Sequence, residues 1–140
     1  MLYSEGQGVP RSGAEALKWW RAAAEQGDTP AQFNIGVAYD NGQGVPRNQN
    51  EAAKWYRLAA DKGHAQAQVN LGVLYDQGNG VPQNFVYAYM WFNLAASNGA
   101  RMAIKNRDAL ASRMTQGQID EAQKFTREWK PVAPQPVQAQ

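Results

Sequence analysis

Apolar and small residues recur along this chain with the period of a helix. After Pro10, the residues Ala16, Trp19, Trp20, Ala23, Ala24 and Gly27 fall at i, i+3, i+4, i+7, i+8 and i+11, which is one stripe of an α-helix. Ser12 with Glu15 reads as a capping box, Asn48 with Glu51 as a close variant, and Gly27, Gly63 and Gly99 stand where a left-handed C-terminal residue belongs. The pattern predicts return helices over 13–26, 49–62 and 85–98. A second stripe, Ala31, Ile35, Ala38 and Tyr39, opens behind Pro30, which suits a first helical turn, and stops at Gly42. Ala67, Leu71, Leu74 and Tyr75 repeat it. No strand-like alternation and no β-branched run interrupts these stripes, so the predicted fold class is all-α.

The stripes come in copies. "GQGVP" at Gly6 to Pro10 returns at Gly42 to Pro46 and, as "GNGVP", at Gly78 to Pro82, each 36 residues after the last. Residues 6–41 and 42–77 agree at 21 of 36 positions, while 78–108 holds its first half and then drifts. An alanine at 16, 52 and 88, a tryptophan at 19, 55 and 91, and an Ala-Ala pair at 23–24, 59–60 and 95–96 persist throughout. A period in this range belongs to repeat architectures. Each "GxGVP" stops a leading helix, reverses the chain and lets proline fix the approach to the return helix. One such hairpin cannot bury its apolar face, so the hairpins must stack into a solenoid. A phosphate-cradling role for Gly6, Gly8 and Gly13 is a minor alternative, because no strand precedes them and no lysine–serine/threonine pair follows.

Ala31 to Gly63 resembles the Sel-one-like repeat, a 36-residue relative of the tetratricopeptide repeat. The family pattern A-x-x-x-L-G-x-x-Y, G-x-G-V, A-x-x-W-Y-x-x-A-A-x-x-G falls on Ala31, Ile35, Gly36, Tyr39, Gly42, Gly44, Val45, Ala52, Trp55, Tyr56, Ala59, Ala60 and Gly63, with Pro46 completing the turn. Ile35 replaces the usual leucine and Asn48 a common aspartate. The resemblance covers roughly 1–100 and implies a right-handed α-solenoid that works as an adaptor or scaffold for other proteins. Some cysteine-rich members are associated with β-lactams; this chain has no cysteine, and that analogy fails.

The ends depart from the pattern. Met1, Leu2 and Tyr3 align with Val37, Ala38 and Tyr39, so 1–41 reads as a partial first repeat whose leading helix is truncated, followed by the start of the second. A fragment, or a start displaced by a gene-boundary error, is the expectation. The repeat at 42–77 is complete, and that at 78–113 diverges: Arg107, Asp108 and Ala111 replace the apolar residue, glycine and tyrosine of the stripe, leaving a degenerate helix at about 100–113. Thr115 and Gln118 read as the capping box of a C-terminal capping helix within 114–129, with Ile119, Ala122, Phe125, Thr126 and Trp129 inward. The Pro/Gln-rich 130–140 reads as a disordered or extended tail that a proline-binding partner could hold.

Composition narrows the chemistry. A net charge of +2, from 14 basic and 12 acidic residues, does not suit a nucleic-acid partner. No apolar run approaches a membrane span. The single histidine, His64, sits in an inter-hairpin loop with no second histidine or cysteine to join it, and reads as solvent-facing. Capping accounts for Glu15 and Glu51, and the core stripe for Trp19, Trp55 and Trp91. No catalytic residue, metal site or cofactor is expected. Tyr87, Tyr89 and Phe33 offer a criterion for a ligand-binding role: gathered on one exposed face they favour it, buried they oppose it.

What remains is a surface. On the leading helices, which line the concave side of tetratricopeptide-like arrays, the positions beside the core stripe carry Phe33, Val37, Asp40 and Asn41, then Val69, Val73, Asp76 and Gln77, with Lys105 and Arg113 from the degenerate helix. These are the candidate partner-binding residues, for a peptide or helix from another protein. A structural end cap of a longer array and a cell-envelope ligand-binding module are the alternatives. The expected state is a monomer, with a dimer through the truncated N-terminal end as the alternative. Resemblance alone suggests a bacterial periplasmic or secreted setting.

Overall fold

The structure, a computed structural model, describes residues 13–132. Within them seven helices follow one another: α1 (Gly13–Glu25), α2 (Thr29–Asn41), α3 (Gln49–Asp61), α4 (Ala65–Gln77), α5 (Phe85–Ser97), α6 (Met102–Ala111) and α7 (Gln116–Glu128). This is the all-α hairpin array that the 36-residue period demands. The first GQGVP turn, the Ser12 cap, Met1 to Tyr3 and residues 133–140 of the tail lie outside the described residues.

Local chemistry sets the boundaries. The side chains of Asn48 and Asn84 accept from the backbone N–H of Glu51 and Tyr87, satisfying one orphan donor at each return-helix start. Thr115 and Gln118 form the reciprocal capping box of α7. Gly42 and Gly78 end the leading helices in the left-handed region, at φ 71° each. Gly80 has a second reason to be glycine: a Cβ there would run into the backbone carbonyl of Gln49, where the turn lies on the preceding return helix.

Small residues let the helices meet. Ala31, Ile35, Ala38 and Leu17 pack with Trp55; Ala52, Tyr56, Ala60, Leu71 and Leu74 pack with Trp91 one repeat later. At Gly36 and Gly72 the facing rings of Tyr56 and Phe92 sit so close that an added Cβ would stand 2.5 Å and 2.6 Å from them. A buried polar ladder ties successive hairpins. Gln32 donates to the Ala24 carbonyl (3.1 Å) and accepts from Lys62 Nζ (3.0 Å); Gln68 donates to the Ala60 carbonyl (3.0 Å) and accepts from Asn98 (3.1 Å). Each glutamine thus adds a second donor to a return-helix C-terminal carbonyl that already accepts from the backbone N–H of Gly27 or Gly63, and its own buried amide is satisfied. The third copy has Ile104 at this position, exposed on α6, and the ladder stops.

Two sequence expectations change here. Trp19 is 57% exposed, whereas Trp55 and Trp91 are buried. Each buried tryptophan packs on the hairpin before its own, and for Trp19 that position lies ahead of the described residues. His64 is not a solvent-facing loop residue: its Nδ1 caps α4 by accepting from the Ala67 N–H (3.0 Å), and its ring stacks on Phe33 with centroids 4.7 Å apart. Burial lowers its pKa below the ordinary imidazole value, which keeps the capping nitrogen unprotonated.

At the C-terminal end the regular succession breaks. Helices α1 to α5 each pack on the next, but α7 packs chiefly on α5. The polar α6, with Arg107 and Asp108 in the places of Ile35 and Gly36, offers no close-packing stripe. Helix α7 therefore buries Ala122, Phe125 and Trp129 against its neighbours in the core.

Candidate functional site

Helices α2 and α4 run side by side, and a groove of about 290 Å³ opens between them with α3 as its floor. Five of the residues expected at a partner surface line it: Val37, Asp40 and Asn41 from α2, and Val73 and Gln77 from α4. They meet because the period of 36 puts equivalent positions of successive leading helices in register. Val37 and Val73 are half-buried, each leaning on a core cluster while keeping a face on the groove.

The remaining predicted residues lie elsewhere. Val69 is buried among Phe92, Tyr89 and Ala103, withdrawn from the surface. Its expected exposure fails because Tyr89 and Phe92 of α5 and Ala103 of α6 pack in the same core cluster. Phe33 is half-buried between His64 and Tyr56. Asp76 and Arg113 bond each other (2.9 Å), and the Arg113 guanidinium also lies over the Phe85 ring. Lys105 is exposed on α6, apart from the groove.

Sequence reasoning missed the groove's framework. Tyr56 donates its hydroxyl proton to Asp40 Oδ2 (3.0 Å), Gln49 donates to Asp40 Oδ1 (3.0 Å), and Arg47 donates to the Asp40 carbonyl (2.8 Å). Burial, reinforced by the Asp40 carboxylate, pushes the Tyr56 phenol above the usual tyrosine range, so it stays a donor. The signal available was the aromatic that follows each repeat tryptophan, at Trp20, Tyr56 and Phe92. The groove therefore offers two apolar patches, a fixed carboxylate and three amides (Asn41, Asn70, Gln77), which suits hydrogen bonding to an extended or helical peptide.

The aromatic criterion gives a divided answer. Tyr89 is buried and Phe33 half-buried, so with Tyr87 they form no common face. A different set does gather. On the return-helix side Tyr75, Tyr87, Phe125 and Trp129 surround a second groove of about 330 Å³, floored by Met90 and Trp91 and edged by Arg57 and Glu128. Among the described residues no group of His, Asp and Glu could hold a metal ion, and no helix is long and apolar enough to cross a membrane.

Comparison with known proteins now places the chain. The sequence pattern of the Sel1 repeat matches residues 1–28, 29–64 and 65–99. A protective antigen of uropathogenic Escherichia coli strains that displays an SLR fold superposes over 88% of this chain with a TM-score of 0.83 at 35% identity. A Sel1 repeat protein from Oxalobacter formigenes superposes over 88% with a TM-score of 0.72 at 33% identity. The chain spans 27% and 58% of the lengths of these two proteins. No curated protein matches it. Three matched repeats, the hairpin array and two structural relatives above 30% identity agree: the chain belongs to the Sel1 repeat family, whose members are generally protein–protein interaction modules.

Proposed function

We propose that this protein is a non-catalytic interaction module that holds a peptide or helix of a partner protein on the concave, leading-helix face. The observation that carries the proposal is the groove between α2 and α4, which brings Val37, Asp40, Asn41, Val73 and Gln77 together over the Tyr56–Asp40 hydrogen bond. The groove couples apolar contact to oriented acceptors and amides. Tyr56 and Gln49 hold the Asp40 carboxylate in place, which lowers the ordering cost of binding. In this reading α2 and the repeat at 42–77 form the working surface, 78–113 and the cap at 114–129 support it, and the Asp76–Arg113 ion pair lies outside the groove lining. Val69 serves the core. The protective antigen among the relatives supports a bacterial envelope or secreted setting.

The test is capture with crosslinking and mass spectrometry, run beside a Val37→Asp/Val73→Asp variant of unchanged helicity. The expected result is a partner peptide crosslinked from a diazirine-bearing amino acid installed at position 41 or 77 of the parent chain and lost, by at least about tenfold in occupancy, when the two valine substitutions are added. The same capture by both proteins sinks the groove as the working surface. A second reading, stacking of α1 against a further hairpin, rests on the exposure of Trp19 and leaves that capture unchanged.

A further inference from the structure

The aromatic groove on the return-helix side is a different site, and the chain carries the chemistry that fits it. Its geometry follows from three parallel helices. Tyr87 meets Phe125 (centroids 6.1 Å apart) and Trp91 meets Trp129 (6.2 Å), one turn further along both α5 and α7. From the other side the Arg57 guanidinium of α3 lies over the Trp91 ring, 5.6 Å from its centroid. The valley along α5 is thus walled by α3 and α7. Among the described residues no hydrogen bond engages the Tyr75 or Tyr87 hydroxyl or the Trp129 indole N–H.

Aromatic walls with unengaged donors are what a polyproline II segment needs. Such a segment has no internal hydrogen bonds, presents its carbonyls outward and packs prolyl rings on aromatic faces. The chain carries a matching sequence immediately beyond α7: Pro131-Val132-Ala133-Pro134-Gln135-Pro136, a P-x-x-P pattern with a further proline two residues on. Its root is fixed beside the groove. The Val132 N–H donates to the Asp61 carbonyl (2.7 Å), so the chain crosses from α7 to the C-terminal end of α3, one turn beyond Arg57. From the level of Asp61 back to that of Tyr87 is about 12 Å, two turns at 1.5 Å per residue. Residues 133–140 in polyproline II form reach about 25 Å. Four or five of them, with Pro134 and Pro136 among them, span the valley.

We propose that this groove is a polyproline-binding site occupied by the protein's own tail, residues 133–140, folded back along α5. The chain lacks cysteine, so Gln138→Cys gives a single attachment point for a nitroxide on the full chain. The reading is paramagnetic broadening of the Tyr87 and Phe125 backbone amides, with amides of α1 as the internal reference. The expected result is broadening at least about twofold greater than in the same labelled chain carrying Pro134→Ser and Pro136→Ser, and unchanged on dilution. The substitutions keep the tail's length and tether while removing its polyproline bias. Equal broadening in the two backgrounds overturns the proposal. So does broadening that arises only between chains, in a mixture of isotope-labelled and spin-labelled protein, because the occupant is then a second copy's tail.

Discussion

The two grooves of this molecule are made in opposite ways. The groove between α2 and α4 arises where the repeat is most regular, from equivalent positions one period apart, and its central polar atoms are engaged with one another: Tyr56 and Gln49 on Asp40, Arg47 on the Asp40 carbonyl. The groove along α5 arises where the repeat fails. There α6 has lost its stripe, α7 lies on α5 instead, and Phe125 and Trp129 wall a valley that a regular next repeat would have filled differently. Repetition builds a scaffolded surface with fixed acceptors. Its breakdown leaves aromatic faces and donors without partners among the described residues. The first groove suits a partner that supplies donors and apolar side chains, the second a segment rich in carbonyls and prolyl rings.

The hardest way to break this contrast is to remove the tryptophan beneath the second groove. Trp91 is buried between α5 and the preceding hairpin, so Trp91→Ala is expected to cost about 3–5 kcal/mol in urea unfolding. Trp19 holds the same repeat position but is exposed, and Trp19→Ala should cost under about 0.5 kcal/mol. Equal losses at the two sites would mean that position in the repeat, rather than packing on a preceding hairpin, sets the value. Next in size is the floor of the first groove. Gly36→Ala drives a methyl toward the buried Tyr56 ring, 2.5 Å from its Cδ1, and should destabilise by about 1–3 kcal/mol. Because Tyr56 orients Asp40, the Tyr56–Asp40 hydrogen bond should loosen too, visible as a shift of the Tyr56 ring resonances while those of Trp129 stay in place.

The smallest effect is a pH dependence confined to the leading-helix side. The His64 pKa lies below its ordinary value of 6.5 because the folded protein buries the ring. The unfolded chain therefore binds the proton first. The stability that neutral His64 contributes is fully present above 6.5 and is lost as pH falls below that value through the lower folded pKa. Protonation also removes the acceptor that caps α4. Unfolding midpoints should fall between about pH 7.5 and about pH 5.5, and His64→Asn, which keeps a capping acceptor, should flatten that decline. An unchanged slope in the variant would remove His64 from the account.

Much of the architecture was legible in the sequence, for a definite reason. A helix stripe and its caps are written in residues at most four apart, as in Asn48 with Glu51 or Thr115 with Gln118, and the turn "GxGVP" is contiguous. The period of 36 then fixes which residues of successive hairpins share a face, so Val37 and Val73 could be paired before any coordinates. What could not be read is how deep each position lies. Phe33 and Val69 hold equivalent places, yet one stacks on His64 and the other is buried beside Phe92. Nor does periodicity reveal that the Asp76 and Arg113 charges meet each other.

By itself the sequence determined the all-α hairpin array, its turns and the register of the leading-helix groove, because these follow from local propensity and exact repetition. Only the tertiary structure decided the aromatic groove. Arg57, Tyr75, Tyr87, Phe125 and Trp129 come from four elements, and the 36-residue period does not assemble them. They meet because α7, denied a stripe on α6, buries its apolar face on α5.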